Sequence, residues 1–220
     1  TSFGFNALDS VADGDYNVGV GYHALTSLTN GDNNTSLGYN SGSGISTGIS
    51  NTFIGASTGT TSSITGSNLT CLGYDAEPSS ASATNEVTLG DSNVATLRCG
   101  ATTIASLSDE RDKTDIENSE YGLDFIKKLR PVEFTWQRRE LEESDKNHPK
   151  NGTKQVGFIA QELQSAMLPG ENEKLDLVYE SNPERLEAKQ GNLIPILVKA
   201  IQDLSREVKT LRNEINEIKS

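Results

Sequence analysis

Several things that define whole classes of protein are scarce in this chain. It has two cysteines in 220 residues, Cys71 and Cys99, too few for a disulfide framework, and no second pair or histidine cluster offers metal-ligand spacing. No metal or cofactor is therefore expected, and both thiols read as small buried residues of a reducing compartment. Long hydrophobic runs are missing too: none approaches the ~18 residues of a membrane span, so none is expected. Thr1 opens no signal-peptide pattern, and the chain reads as a piece of a longer protein. Basic residues are nearly absent from the first half, where eight acids face only Arg98; the second half sets twenty-three acids against eighteen bases. The halves carry −7 and −5 of the net −12, and the sequence pI is near 4.6. With no basic stripe, such a chain is repelled by phosphate, which argues against nucleic acid as a partner.

What the first half does have is glycine, fifteen of the twenty, at a fixed step. "SFGFNAL", "GVGYHAL", "SLGYNSG", "FIGASTG", "CLGYDAE" and "TLGDSNV" place Gly4, Gly21, Gly38, Gly55, Gly73 and Gly90 at intervals of 17, 17, 17, 18 and 17. Gly14, Gly31, Gly48 and Gly66 each precede one of them by seven. The unit reads as a short strand such as Ser36 to Gly38, a tight turn using Gly or Asn, a second small strand and another turn. One such coil has few large apolar residues, among them Leu25, Leu28, Leu37, Phe53 and Ile54, and buries no core alone; stacked coils do, either along one chain or around a threefold axis.

The fold expected for residues 1–107 is thus a glycine-rich all-β repeat, a β-roll or β-helix-like trimeric shaft. It resembles the shafts of phage tail fibres and the heads of trimeric autotransporter adhesins. Low-complexity disorder is the alternative, but it enforces no phased apolar positions. "DGD" at Asp13 to Asp15 and "GDN" at Gly31 to Asn33 read as solvated acidic turns before calcium sites. Tyr16, Tyr22, Tyr39 and Tyr74 read either as core or edge-covering residues of the stack, or as exposed contacts for a host-surface glycan or protein.

The second half reads as a small α+β core over 108–191 followed by a long C-terminal helix over 192–220. "YGLDFIKKLRP" sets Leu123, Ile126 and Leu129 near one helical face, and Pro131 stops the helix. "VEFTW" alternates Val132, Phe134 and Trp136 as a half-buried strand. "QVGFIAQEL" predicts a buried strand running into a short helix, "KLDLVYE" another strand, and residues 137–154 a loop in which His148 is exposed rather than catalytic. From Ile194 the apolar positions are Ile194, Leu197, Ile201, Leu204, Val208, Leu211, Ile215 and Ile218, alternating steps of three and four. That is a coiled-coil seam; an amphipathic helix lying on its own domain is the alternative. Ile, Ile, Val and Ile at one seam position with mostly Leu at the other favours dimers in isolated peptides. The repeat shaft, with more surface to bury, argues for a homotrimer.

Between the halves stands "LSDERDKTD". A serine and a lysine can hydrolyse a peptide bond without histidine when the amine, in its neutral form, takes the hydroxyl proton. Burial or a neighbouring cation such as Arg111 favours that form of a lysine, whereas Asp109, Asp112 and Asp115 oppose it unless they face outward or pair with Arg111. Ser108 and Lys113, five apart, lie about 140° apart on a helix and on opposite faces of a strand, so a turn or a neighbouring subunit must join them. By itself the stretch reads as a charged linker.

"LSDERDKTDIE", "GLDFIKKLRPVEFTW", "VGFIAQEL" and "LVKAIQDL", in this order, resemble the intramolecular chaperone, auto-processing domain of phage tailspikes, endosialidases and tail fibres. The resemblance covers residues 107 to about 212. It implies that Ser108 is the nucleophile and Lys113 the general base, with Asp109 and Arg111 completing the motif. It also implies a homotrimer that sets the register of the shaft and then cuts itself beside the serine, on the virion's tail appendage assembled in the host cytoplasm. The Leu107-Ser108 bond is the expected cut, and the bond after Ser108 the other option. Backbone amides of Gly157 or of the "SDER" turn are candidate oxyanion donors. A non-cleaving trimerisation module on a receptor-binding shaft is the rival reading.

Overall fold

The computed structural model describes residues 1–100, 104–137 and 152–219. His148 lies outside them. The chain forms two compact units, the first ending at Leu97 and the second beginning at Arg98.

The first unit is a β-solenoid. Strands β1 (Ser2–Phe3), β2 (Val18–Val20), β3 (Thr35–Leu37), β4 (Thr52–Ile54), β5 (Leu69–Leu72) and β6 (Glu86–Leu89) form one parallel sheet in sequence order, each pairing with the strand one repeat later. The glycine column closes each strand. A Cβ at Gly38 (φ +136°) would collide with the carbonyl oxygen of Gly55 one coil on, so the repeated glycine is a steric requirement of the stack. The expected second strand of each coil does not form; only an isolated parallel bridge between Ile45 and Ile64 stands in its place. The physical reason lies in the backbone, since His23 (φ +56°), Leu25 (φ +54°), Asn40 (φ +53°) and Gly42 (φ +65°) fold this part of the coil into consecutive turns.

Two columns hold the coils together. Leu25, Leu28, Ile45, Phe53, Ile64, Leu69 and Cys71 form the apolar core. Beside it runs a buried asparagine ladder. Asn34 donates from its backbone N to Asn17 Oδ1 (2.9 Å) and from Nδ2 to the Gly48 carbonyl (2.9 Å), while Asn51 N donates to Asn34 Oδ1 (3.0 Å). Asn51 repeats the pattern to Gly66 O and Leu69 N, after which Leu69 occupies the asparagine position and the ladder ends. Burial pushes the Cys71 thiol up to about 12, so this cysteine is a neutral core residue as expected. Cys99 is exposed, contrary to expectation, because it follows the last coil and has no core to enter.

The second unit is small. Helix α1 (Leu123–Ile126) precedes Pro131, and β7 (Val132–Thr135) and β8 (Lys154–Gly157) form an antiparallel hairpin. Next come α2 (Ala160–Ala166), α3 (Glu171–Leu175), the antiparallel pair β9 (Val178–Tyr179) and β10 (Glu187–Ala188), and the long helix α4 (Leu193–Lys219). Phe125, Leu163, Met167, Leu177, Val178, Leu193 and Ile196 make its core. Two expectations are corrected. Strand β8 is exposed up to Gly157, because it pairs only with β7 and no layer covers it. "KLDLVYE" gives only the two-residue β9, because Lys174 and Leu175 close α3 and Asp176 (φ +47°) turns the chain.

A paired and an unpaired buried polar group lie two residues apart, which yields a prediction. Asn34→Ala strands the Gly48 carbonyl and the Asn51 amide and should destabilise the shaft by about 2–4 kcal/mol. Ser36 Oγ is buried with no hydrogen-bond partner, so Ser36→Ala should leave stability unchanged or raise it by up to ~1 kcal/mol. Denaturant unfolding of the two variants checks the opposite signs.

Candidate functional site

The stretch from Leu107 to Asp115 is built around one short turn. Asp109 starts it, accepting from the Arg111 backbone N at 2.9 Å, and Glu110–Asp112 form a single 3-10 turn closed by Asp112 N to Asp109 O (3.2 Å) and Lys113 N to Glu110 O (3.1 Å). The Arg111 guanidinium folds back over the same carboxylate, Nε donating to Oδ1 (3.0 Å) and a terminal nitrogen to Oδ2 (2.6 Å). The Asp109 carboxyl is held below its ordinary range, chiefly by Arg111, and the Arg111 guanidinium is raised by the same pairing. Asp109 therefore spends its charge on Arg111, as the sequence required if it was not to oppose the lysine.

Lys113 Nζ lies 2.5 Å from Ser108 Oγ, donating to it, and 3.4 Å from the Ser108 carbonyl oxygen. A local turn thus supplies the contact that a helix or a strand would forbid, and it does so within one chain. Ser108, Asp109, Arg111 and Lys113 are all exposed, and Leu107 is fully so. Gly157, a candidate oxyanion donor, sits opposite Val132 in the β7–β8 hairpin.

Helix α4 carries two distinct faces. Leu193, Ile196 and Ala200 are buried in their own unit. All eight seam residues, Ile194, Leu197, Ile201, Leu204, Val208, Leu211, Ile215 and Ile218, remain exposed, from 39 % at Val208 to 85 % at Ile218. The helix does rest on its own domain through its first turns, but with a different stripe from the seam. Beyond Asp203 every described residue of α4 is exposed.

Asp203 was not singled out by sequence and does much to fix α4. It pairs with Lys199 (2.6 Å) and Arg206, and its Oδ2 accepts from the Leu123 backbone N (3.4 Å) at the start of α1. These cations and the amide hold its carboxyl below the ordinary range. The Lys199–Asp203 spacing of four was the available signal, though such pairs are common on any helix.

None of the four tyrosines considered as glycan contacts or core residues is buried; Tyr16 and Tyr74 are the most exposed. Tyr22 and Tyr39 stack on each other at 5.4 Å and Tyr22 on Phe5 at 5.5 Å, so their faces are occupied along the shaft.

The chain therefore joins a solenoid shaft to a small α+β unit with a long, open-seamed helix and a serine-lysine contact at the junction. Compared with known families, residues 108–171 match a peptidase family model described as chaperone of endosialidase. The match begins at Ser108, and over residues 108–171 it bears out the resemblance to the intramolecular chaperone domain of phage tailspikes and endosialidases. No curated protein matches, and no solved structure does.

The depressed Asp109 carboxyl gives a pH prediction. A folded-state value below the unfolded one means that the clamp is fully present above the ordinary carboxylate range, ~4, and is lost as pH falls through the depressed value. The Arg111 Nε–H resonance should hold its position from neutral pH down to about 5 and move only below ~4.

Proposed function

We propose that this chain is the distal part of a viral tail fibre or similar appendage, in which residues 108–220 are an intramolecular chaperone. They bring three chains together along α4, level the solenoid shafts, and are then released by self-cleavage beside Ser108. The observation that carries this reading is the 2.5 Å approach of Lys113 Nζ to Ser108 Oγ, placed where the family match begins. The location on a virion, assembly in the host cytoplasm, and recognition of a host-surface glycan or protein by the shaft belong to the same proposal.

The chemistry follows from the turn. In its neutral form the Lys113 amine takes the Ser108 hydroxyl proton as Oγ attacks the Leu107 carbonyl carbon. The tetrahedral intermediate collapses with cleavage of the Leu107-Ser108 C–N bond, the proton passing to the departing Ser108 nitrogen. Water then hydrolyses the resulting ester, giving a Leu107 carboxylate and restoring the Ser108 hydroxyl. The Ser108 oxygen reaches the preceding carbonyl through a five-membered ring, which favours this bond over the one after Ser108. Water exclusion would come from neighbouring chains, since the turn is exposed in the single chain.

Such an aid meets a physical need. Every shaft strand pairs with one 17 or 18 residues away, so loop closure precedes any contact. Near-identical coils also permit pairing one repeat out of step at little energetic difference. Chains held level at one end pair from a defined start. Cutting afterwards removes the handle by which the shaft could be reopened, leaving it kinetically stable.

The exposure of the dyad favours one further reading, a trimerisation module that is retained uncut. A denaturing gel separates the two. Wild type should yield fragments 1–107 and 108–220, while Ser108→Ala and Lys113→Ala should stay at full length. Wild-type chains that remain intact after folding, with oligomers unaffected by Ser108→Ala, would establish retention. Independently, Leu204→Asp combined with Val208→Asp should convert the oligomer to monomers by light scattering, since each buried seam residue contributes about 1.5–3 kcal/mol per chain.

A further inference from the structure

The outer face of the solenoid sheet is apolar, uncharged along most of its length, and uncovered. Side chains alternate across a strand, so the inward column Gly19, Ser36, Phe53, Cys71 and Thr88 is flanked by two outward ones. One outward column reads Phe3, Val20, Leu37, Ile54, Leu72 and Leu89 in register. The other reads Val18, Thr35, Thr52, Thr70 and Val87. Phe3 is 76 % exposed, Leu37 48 %, Leu89 46 % and Ile54 40 %. At about 4.8 Å per strand the aliphatic column runs on the order of 24 Å, more apolar length than a shaft usually leaves in water.

We propose that this face is a contact surface between copies of this chain, ladder against ladder, with the shafts parallel and level. Charge points to that occupant. Asp9, Asp13, Asp15 and Asp32 of the acidic first half lie outside the strands, and Glu86, the strand acid, is turned onto Ser79 N (2.8 Å) and Oγ (2.6 Å). Two copies of a unit carrying about −7 meet with least repulsion on the face that lacks charge. Step length points the same way. A closed rotational assembly puts equal-numbered residues at equal height, so a column stepping by 17, 17, 17, 18 and 17 residues meets its own copy at every rung. A polysaccharide suits the face less well, because five of the six column residues are aliphatic, with Phe3 at one end the single aromatic, and the aromatic faces beside it, on Phe5, Tyr22 and Tyr39, stack on one another. The inference rests on the reading of α4 as an oligomerisation helix and adds where the shafts touch.

The test uses the full chain with Cys99→Ser and Ser108→Ala, so that the buried Cys71 is the only native thiol and the halves stay joined. Single cysteines are placed on the face (Leu37→Cys, Ile54→Cys) and off the sheet (Ser27→Cys, exposed), then oxidised, with light scattering on the same samples. Covalent dimers from positions 37 and 54 but not from 27 are expected. Oligomers that form with positions 37 and 54 unlinked overturn the face alone and leave it to another occupant. Monomers at every concentration overturn both the face and the reading of α4.

Discussion

The structure turns on an apolar stripe that its own chain does not cover. Eight seam residues of α4 point to water while Leu193, Ile196 and Ala200, on another face of the same helix, are buried. A helix of 27 residues with an open seam is marginal alone and stable in company, because helical stability in water comes mainly from packing an apolar face. In the function proposed above, further copies of the chain supply that company. Asp203 ties the first turns of α4 to the start of α1, and the buried Leu193, Ile196 and Ala200 seat the same turns in their unit.

The shaft needs help of that kind. Its strand pairing and its asparagine ladder join residues one coil apart, and those bonds repeat from coil to coil. Asn17, Asn34 and Asn51 make the same bonds in the same places, which stabilises the correct stack and, nearly as well, one shifted by a repeat. What breaks that degeneracy locally is the inward column, which changes from Gly19 to Ser36, Phe53 and Cys71, with the 18-residue step before Gly73 and the replacement of asparagine by Leu69. In the proposed function, levelling from outside through α4 adds a defined start.

The solenoid was legible because glycine is a steric necessity where coils press together, and a steric necessity recurs in the sequence at its structural period. The second strand of each coil was not, since positive φ at Leu25 and His23 belongs to residues that give no such sign. Both cysteines read alike, from residue type, as small buried groups; that holds for Cys71 and fails for Cys99, because the end of the core is set by where coils stop stacking. In the second unit, Pro131 and the alternation of Val132 and Phe134 located α1 and β7, while the two-residue β9 was too short for alternation to carry. The seam was fully visible; its exposure was not, for the same pattern serves an internal stripe equally well. The Ser108 to Lys113 contact depended on a turn that Asp109 and Arg111 build by pairing with each other, an interaction that spacing alone leaves open.

The order of assembly is where these parts meet, and refolding kinetics test it most directly. Full-length chains can be diluted from denaturant over a range of concentrations while formation of the shaft is followed by amide protection at Asn34 and Asn51. Shaft formation that quickens as chain concentration rises, and slows when residues 193–220 are removed, is the expected result. Protection that appears at one rate at every concentration, with or without the final helix, would contradict it.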